Sequence, residues 1–186
     1  LIVLFETLTN KGSIDNPWKL ANFDNISGRL IYPGDAKKTS NKKKIADYPN
    51  ELGDKIKHLS KADLKKPYRS GGWQIAQLIH HIADSHTHNY IRFKQALLVD
   101  TPTIMDYKPA DWATTADATL EDISGSLQII KGIHQRWSTL LNSIKLEDLQ
   151  RSYYHPNRDK YYPLHVALAL YSWHGDHHLA HIENTP

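Results

Sequence analysis

The sequence predicts an all-α protein, a four-helix bundle with one long crossover connection. Three observations predict it. Apolar residues recur at helical spacing in four separated segments. Strand signals are confined to two short pieces, RLIYP and SYYHP, which read as extended stretches and not as a sheet. A long connection with two prolines, TPTIMDYKPADW, separates the second helical segment from the third. At 186 residues, 40% hydrophobic and with five tryptophans, the chain is long enough to bury one core.

Taken in order, residues 1–28 mix turn residues (NKGSIDNP) with a few aromatics and have no period. They read as an irregular N-terminal extension ahead of a bundle domain over residues 29–186. The basic run KKTSNKKK, Lys37–Lys44, reads as a solvated loop, with an anion-binding patch as the alternative. The first helix is expected from about Ala46 to Leu59, on Tyr48, Leu52, Ile56 and Leu59. The second follows YRSGG and runs from Trp73 to about Val99, its apolar side supplied by Ile75, Leu78, Ile79, Ile82, Tyr90, Ile91 and Leu97. The third starts near Thr119, where T-L-E-D resembles a capping segment, and continues through Leu127, Ile130, Ile133, Trp137, Leu140 and Leu141 to about Ile144. YYHPNRDKYYP is an aromatic-rich turn region. Pro163 then suits the first position of a fourth helix, which carries Val166, Leu168, Leu170 and Tyr171 and ends near Ile182.

Composition bounds the function. A net charge of +3 and a pI near 8.9 are too mildly basic to argue for nucleic acid. There is no cysteine, hence no disulfide framework, no Cys-ligated zinc and no thiol nucleophile from the protein itself; this fits a reducing cytoplasm. The opening LIVLF lacks a basic flank and is too short for a signal peptide, so a trimmed or fragmentary start is the plainer reading. No apolar run approaches the ~20 residues of a membrane span.

The chemistry concentrates in histidine. Four of the twelve histidines fall within ten residues, WHGDHHLAHI. His174 and His178 are four apart, so on a helix they share a face and can bite one ion. His181 lies one turn further on. The second helix carries a matching stripe, because His81, Ser85, His88 and Arg92 share one face. Bundles build metal sites from inward side chains on facing helices. His81 with His174 and His178 makes a three-histidine set, which leaves a coordination position for water or substrate. Such an ion can lower the pKa of a bound water or thiol. No glutamate follows His174, so the HExxH pattern is absent. Asp84, Asp176 and His181 are candidates to orient a ligand imidazole, or else are ordinary helix-surface groups. Arg92 is a candidate to attract an anionic substrate, or pairs with Asp84 or another acid. His80 and His177 adjoin the proposed ligands but point about 100° away, as surface or supporting groups. Tyr153, Tyr154 and His155 could line the mouth of the site, though packing is the plainer use.

With these residues in hand, the chain resembles the DinB/YfiT-like superfamily, nearest to its bacillithiol-transferase branch. The matching text is PYRSGGWQIAQLIHHIADSHTHNYIRFK, SGSLQIIKGIHQRWSTLL, YYHP and ALALYSWHGDHHLAHI, spanning roughly Arg29 to Ile182. The resemblance implies a four-helix bundle with one divalent ion, zinc or nickel, on three histidines, here His81, His174 and His178. It implies a metal-dependent hydrolase, or a transferase moving a low-molecular-weight thiol such as bacillithiol onto an electrophile. It also implies a small-molecule substrate and a cytoplasmic homodimer. Residues 1–28 fall outside the similarity, and the chain after His181 is shorter than the family's. The alternative class is a non-catalytic module that binds metal or a small ligand. Nucleic-acid binding through KKTSNKKK has no supporting motif, and no membrane contact is expected.

Overall fold

The structure is a computed structural model and describes residues 35–186, with side chains from residue 40 onward. The expected extension over residues 1–28, and RLIYP, lie outside the described residues. Four long helices form the body: α1 (Asp35–Ile56), α3 (Ile75–Leu98), α5 (Ser124–Ser143) and α6 (Leu164–Glu183). Two single-turn helices, α2 (Lys61–Leu64) and α4 (Pro109–Trp112), sit in the connections. A two-stranded antiparallel hairpin, β1 (Ser152–His155) and β2 (Lys160–Pro163), leads into α6. Among the described residues no helix is long and apolar enough to cross a membrane.

The side-chain pairings fix the topology. Going up α3, His80 meets Ser126, His86 meets His134 and Phe93 meets Trp137, so α3 and α5 run parallel. Neighbouring parallel helices cannot be joined by a tight turn, and residues 99–123 supply the crossover. Against α6, His81 meets His178 and Ser85 meets Tyr171, so that pair is antiparallel. Helix α1 packs on α5 and α6 but lies diagonal to α3; it runs parallel to α6, with Lys55 bonded to Glu183 at 2.6 Å.

Four expectations are corrected. Lys37–Lys44 is not a loop but the first part of α1. Lysine is a good helix former, and the turn that follows is pinned by buried Ile45. Lys42 donates to the Leu141 carbonyl, while Lys43 and Lys44 pair with Asp47 and Asp176. SYYH is not an isolated extended piece: Tyr153 pairs with Tyr162 and Tyr154 with Tyr161. Both pairs place tyrosine rings against each other, and Asp159 takes the left-handed conformation (φ 47°) that closes the loop. Helix α5 starts at Ser124, later than Thr119, where Asp122 Oδ1 accepts from the Ser124 N–H at 2.9 Å. Pro163 stands one position ahead of the fourth helix, as its cap.

The core is two apolar clusters separated by a polar layer. One holds Phe93, Trp137, Leu141, Leu164, Leu168 and Tyr171. The other holds Tyr48, Leu52, Ile75, Leu78, Ile79, Ile130 and Ile182. Between them, along α3, α5 and α6, lie His81, His86, His134, His174 and His178, all buried. Gly175 sets how close α1 approaches this layer, since a Cβ there would stand 2.8 Å from both Cδ2 and Cε2 of the Tyr48 ring.

Gly175→Ala should therefore destabilise. Alanine gains about 1 kcal/mol of helix propensity, but overpacking a buried ring that cannot retreat costs about 1–3 kcal/mol. Urea unfolding should show a lower midpoint at unchanged m; an unchanged or higher midpoint would mean that α1 yields freely.

Candidate metal centre

His81 from α3 and His174 and His178 from α6 bring one ring nitrogen each to within 4.8 Å of one another. His174 Nε2 and His178 Nε2 are 3.0 Å apart. The His81 ring stands edge-on to His178, centroids 5.1 Å apart, and 5.4 Å from His174. Nitrogens around a tetrahedral ion with bonds of about 2.0–2.1 Å would lie roughly 3.3 Å apart. The donor set fits a divalent ion that accepts imidazole nitrogen, whether zinc, nickel, iron or copper.

The other nitrogen of each imidazole is engaged. His81 Nδ1 lies 2.9 Å from the Tyr107 hydroxyl. His178 Nδ1 lies 3.4 Å from His181 Nδ1. His174 Nδ1 enters a buried relay: it is 3.0 Å from His86 Nε2, and His86 Nδ1 is 2.7 Å from His134 Nε2. His134 Nδ1 is 2.5 Å from the Ile45 carbonyl oxygen. A carbonyl can only accept, so His134 donates from Nδ1 and must accept at Nε2. His86 then donates from Nδ1 and accepts at Nε2, and His174 donates from Nδ1. The lone pair of His174 is thereby left on Nε2, the nitrogen that faces the other ligands. The Ile45 carbonyl is open to this role because its helical donor would be residue 49, and Pro49 has no N–H.

Burial sets the protonation. Desolvation lowers the His81 pKa to about 3 and holds His174, His178 and His86 well below the ordinary imidazole range; neighbouring imidazoles reinforce it for the last three. His134 is lowered to about 4, mainly by burial. These rings are neutral near pH 7, the form a metal requires.

The triad opens onto a cavity of about 450 Å³ that Ser85, Arg92, Tyr107, Tyr153, Tyr171 and Trp173 help to line. Both connections flagged in the sequence build its wall, through Asp106–Asp111 and through His155, Asn157 and Arg158. Tyr154 does not line it and bonds Asp159 instead.

The candidate supporting groups separate. His181 contacts His178 and stacks on Tyr68, with ring centroids 4.3 Å apart. Asp176 is at the surface with Lys44, away from the ligand nitrogens. Asp84 is half-buried and pushed up to about 6 by burial and then by Asp117; no hydrogen bond joins it to a ligand imidazole among the described residues. His80 is not a surface group: it is buried, 2.9 Å from the Leu120 carbonyl and 2.7 Å from Ser126 Oγ, tying the crossover to α5. His177 stacks on Trp173 at 4.6 Å and faces the cavity. His88 stacks on Tyr107 at 4.7 Å. Sequence reasoning missed Tyr107, His86 and His134. His86 lies five residues from His81 and so off its stripe, and His134 is an isolated polar residue in an apolar period; that isolation was the only available signal.

A bundle whose waist carries three convergent imidazoles beside a cavity is shared with known proteins by sequence and fold. Residues 50–182 match the DinB superfamily model, and the chain belongs to that superfamily. A Bacillus cereus protein named "Putative metal-dependent hydrolase" is 47% identical over 138 residues, 74% of this chain and 79% of that protein. A Bacillus anthracis protein of the same name is 46% identical over the same shares. Among solved structures, YfiT from Bacillus subtilis, described as a probable metal-dependent hydrolase with an unusual four-helix bundle topology, is similar with a TM-score of 0.81. It is 35% identical, covering 85% of this chain and 90% of that one.

The buried neutral histidines make the metal-free protein acid-labile. An unfolded histidine titrates near 6.5, whereas His134 in the fold titrates at about 4. As pH falls the unfolded chain takes up its proton first, so this stability is fully present above about pH 6.5 and is lost as pH falls toward 4. His134 alone accounts for on the order of 3 kcal/mol, and His81 adds to it. Urea midpoints of metal-free protein at pH 7.5, 6 and 5 should fall steeply; a flat series would mean that the layer is not buried in the neutral form.

Proposed function

We propose that this chain is a metal-dependent enzyme that activates a water or a low-molecular-weight thiol, such as bacillithiol, toward a small electrophilic substrate. The supporting observation is the orientation of the three imidazoles: each of His81, His174 and His178 has one nitrogen held by a neighbour, and the remaining nitrogens approach one another at the cavity wall. A divalent ion bound there, zinc or nickel, supplies Lewis acidity that lowers the pKa of a water or thiol.

This chain's residues do the rest. Tyr107 holds the His81 ring through Nδ1, and the His86–His134 relay holds His174 in the one tautomer that offers Nε2. Tyr107, Tyr171 and Trp173 supply apolar wall that limits water around the reacting groups. Three protein ligands leave room for an exchangeable one, which favours catalysis over storage of the ion. The chain has no cysteine, so any thiol arrives with a co-substrate. A cytoplasmic homodimer completes this reading, and sedimentation velocity tests the dimer.

Untagged protein should carry about one ion per chain by elemental analysis. His81→Ala, His174→Ala and His178→Ala should each lose it and remain folded by circular dichroism; stoichiometric metal in all three would refute the site. His86→Leu should weaken metal affinity by roughly 10–100-fold through the freed His174 ring, read by competition with a chromophoric chelator; unchanged affinity would show that the relay does not set the ligand. Turnover of a simple electrophile only when a thiol is supplied would select transfer, and turnover without thiol would select hydrolysis.

A further inference from the structure

The cavity has a second end. Arg92 stands eleven residues beyond His81 on the same face of α3, a rise of about 16 Å, and lines the same cavity. It is only 7% exposed. Burying a guanidinium is costly unless an anion or several acceptors meet it. Arg92 Nη2 donates to the Met105 carbonyl at 3.1 Å. Its Nε is buried and has no hydrogen-bond partner among the described residues. The alternative pairing with Asp84 is not made, and no carboxylate lies within ion-pair distance among the described residues.

The surroundings repeat the pattern. His155, 9% exposed, lines the same end, and its Nδ1 is also buried without a partner among the described residues. Its Nε2 is 3.9 Å from Asp106 Oδ1, and Asp106 itself accepts from Asn157. Arg158 lines the wall and donates from Nη1 to the Tyr162 hydroxyl at 3.1 Å. Lys108 and Asp111 line the cavity as well. Among the described residues, the most deeply buried charge at this end is therefore a cation with no carboxylate in ion-pair contact. Arginine presents a planar fork suited to carboxylate and phosphate oxygens.

We propose that Arg92, flanked by His155 and Arg158, is the seat for an anionic oxygen group, carboxylate or phosphate, on the elongated small molecule whose reactive end lies at the histidine triad. This deepens the functional reading above and rests on it for what happens at the other end. The seat itself needs no metal. Binding the anion replaces the missing partner of a buried guanidinium, so it selects anionic ligands over neutral isosteres and fixes which end of the molecule faces the triad.

The test uses zinc-loaded full chain, with succinate, propyl phosphate and neutral succinamide as probes in calorimetric titration. At least one anion should bind more tightly than succinamide, by tenfold or more. Arg92→Met, which keeps the volume, should abolish that preference, and Arg92→Lys, which keeps the charge but not the fork, should weaken it severalfold. If Arg92→Met does not fold, Arg92→Lys decides alone. His178→Ala separates the two readings: anion binding that survives in it while metal is lost places the anion on Arg92. Anion binding lost in His178→Ala but kept in the Arg92 variants would put the anion on the metal and overturn the proposal. Equal affinity for succinate, propyl phosphate and succinamide, or no binding of either anion at 10 mM, would overturn it as well. Which anion responds to Arg92 identifies the group.

Discussion

The hydrogen bond from His134 Nδ1–H to the Ile45 carbonyl governs more of this protein than its size suggests. It exists because Pro49 removes the N–H that the helix would have supplied to that carbonyl. A proline inside a helix ordinarily costs about 3 kcal/mol; here the opened acceptor anchors a chain of three imidazoles that crosses the bundle from α1 to α6. Every ring in the chain has only one way to place its proton, because the first acceptor has no proton to give. A backbone atom in one helix thus dictates which nitrogen of His174, two rings away, carries the lone pair.

The same relay explains why the polar layer is tolerable between two apolar clusters. Burial holds the rings neutral, and neutral rings joined donor to acceptor leave few unmet polar atoms. The apolar clusters on either side then act as clamps. Trp137 and Phe93 press from one side, Ile79 and Ile130 from the other, and Tyr48 stacks on His134 at 5.2 Å. Gly175 admits Tyr48 to that position, so the glycine beside a proposed ligand serves packing and not flexibility.

The connections supply what four helices cannot, a walled cavity beside the layer. Arg151 donates to the Ala96 and Val99 carbonyls, closing the end of α3 and drawing the hairpin against it. The crossover then pairs with the hairpin, Ile104 N–H to the Tyr154 carbonyl and Tyr154 N–H to the Pro102 carbonyl. That short ladder locks the two segments together over the cavity, with Tyr107 at one end beside His81 and His155 at the other beside Arg92. One hydrogen-bonded wall so joins a proposed metal centre to a buried cation.

The bundle and the convergence of His81, His174 and His178 were legible in the sequence. Helical period and four-residue spacing are local properties, and a local periodicity survives whatever packs against it. The hairpin was half legible: SYYH read as extended, but pairing with KYYP depends on the left-handed Asp159 that closes the loop. The start of α1 was misread because a run of lysines has no period to betray a helix, although lysine favours one. The roles of His86, His134 and Tyr107, and the burial of Arg92 with its Nε unmet among the described residues, were decided only by tertiary structure. Each depends on which atoms of distant segments meet, and the linear pattern around His134 or Pro49 carries no trace of the other. Sequence determined the faces that turn inward; the packing of those faces determined which nitrogen is free and which charge is unpaired.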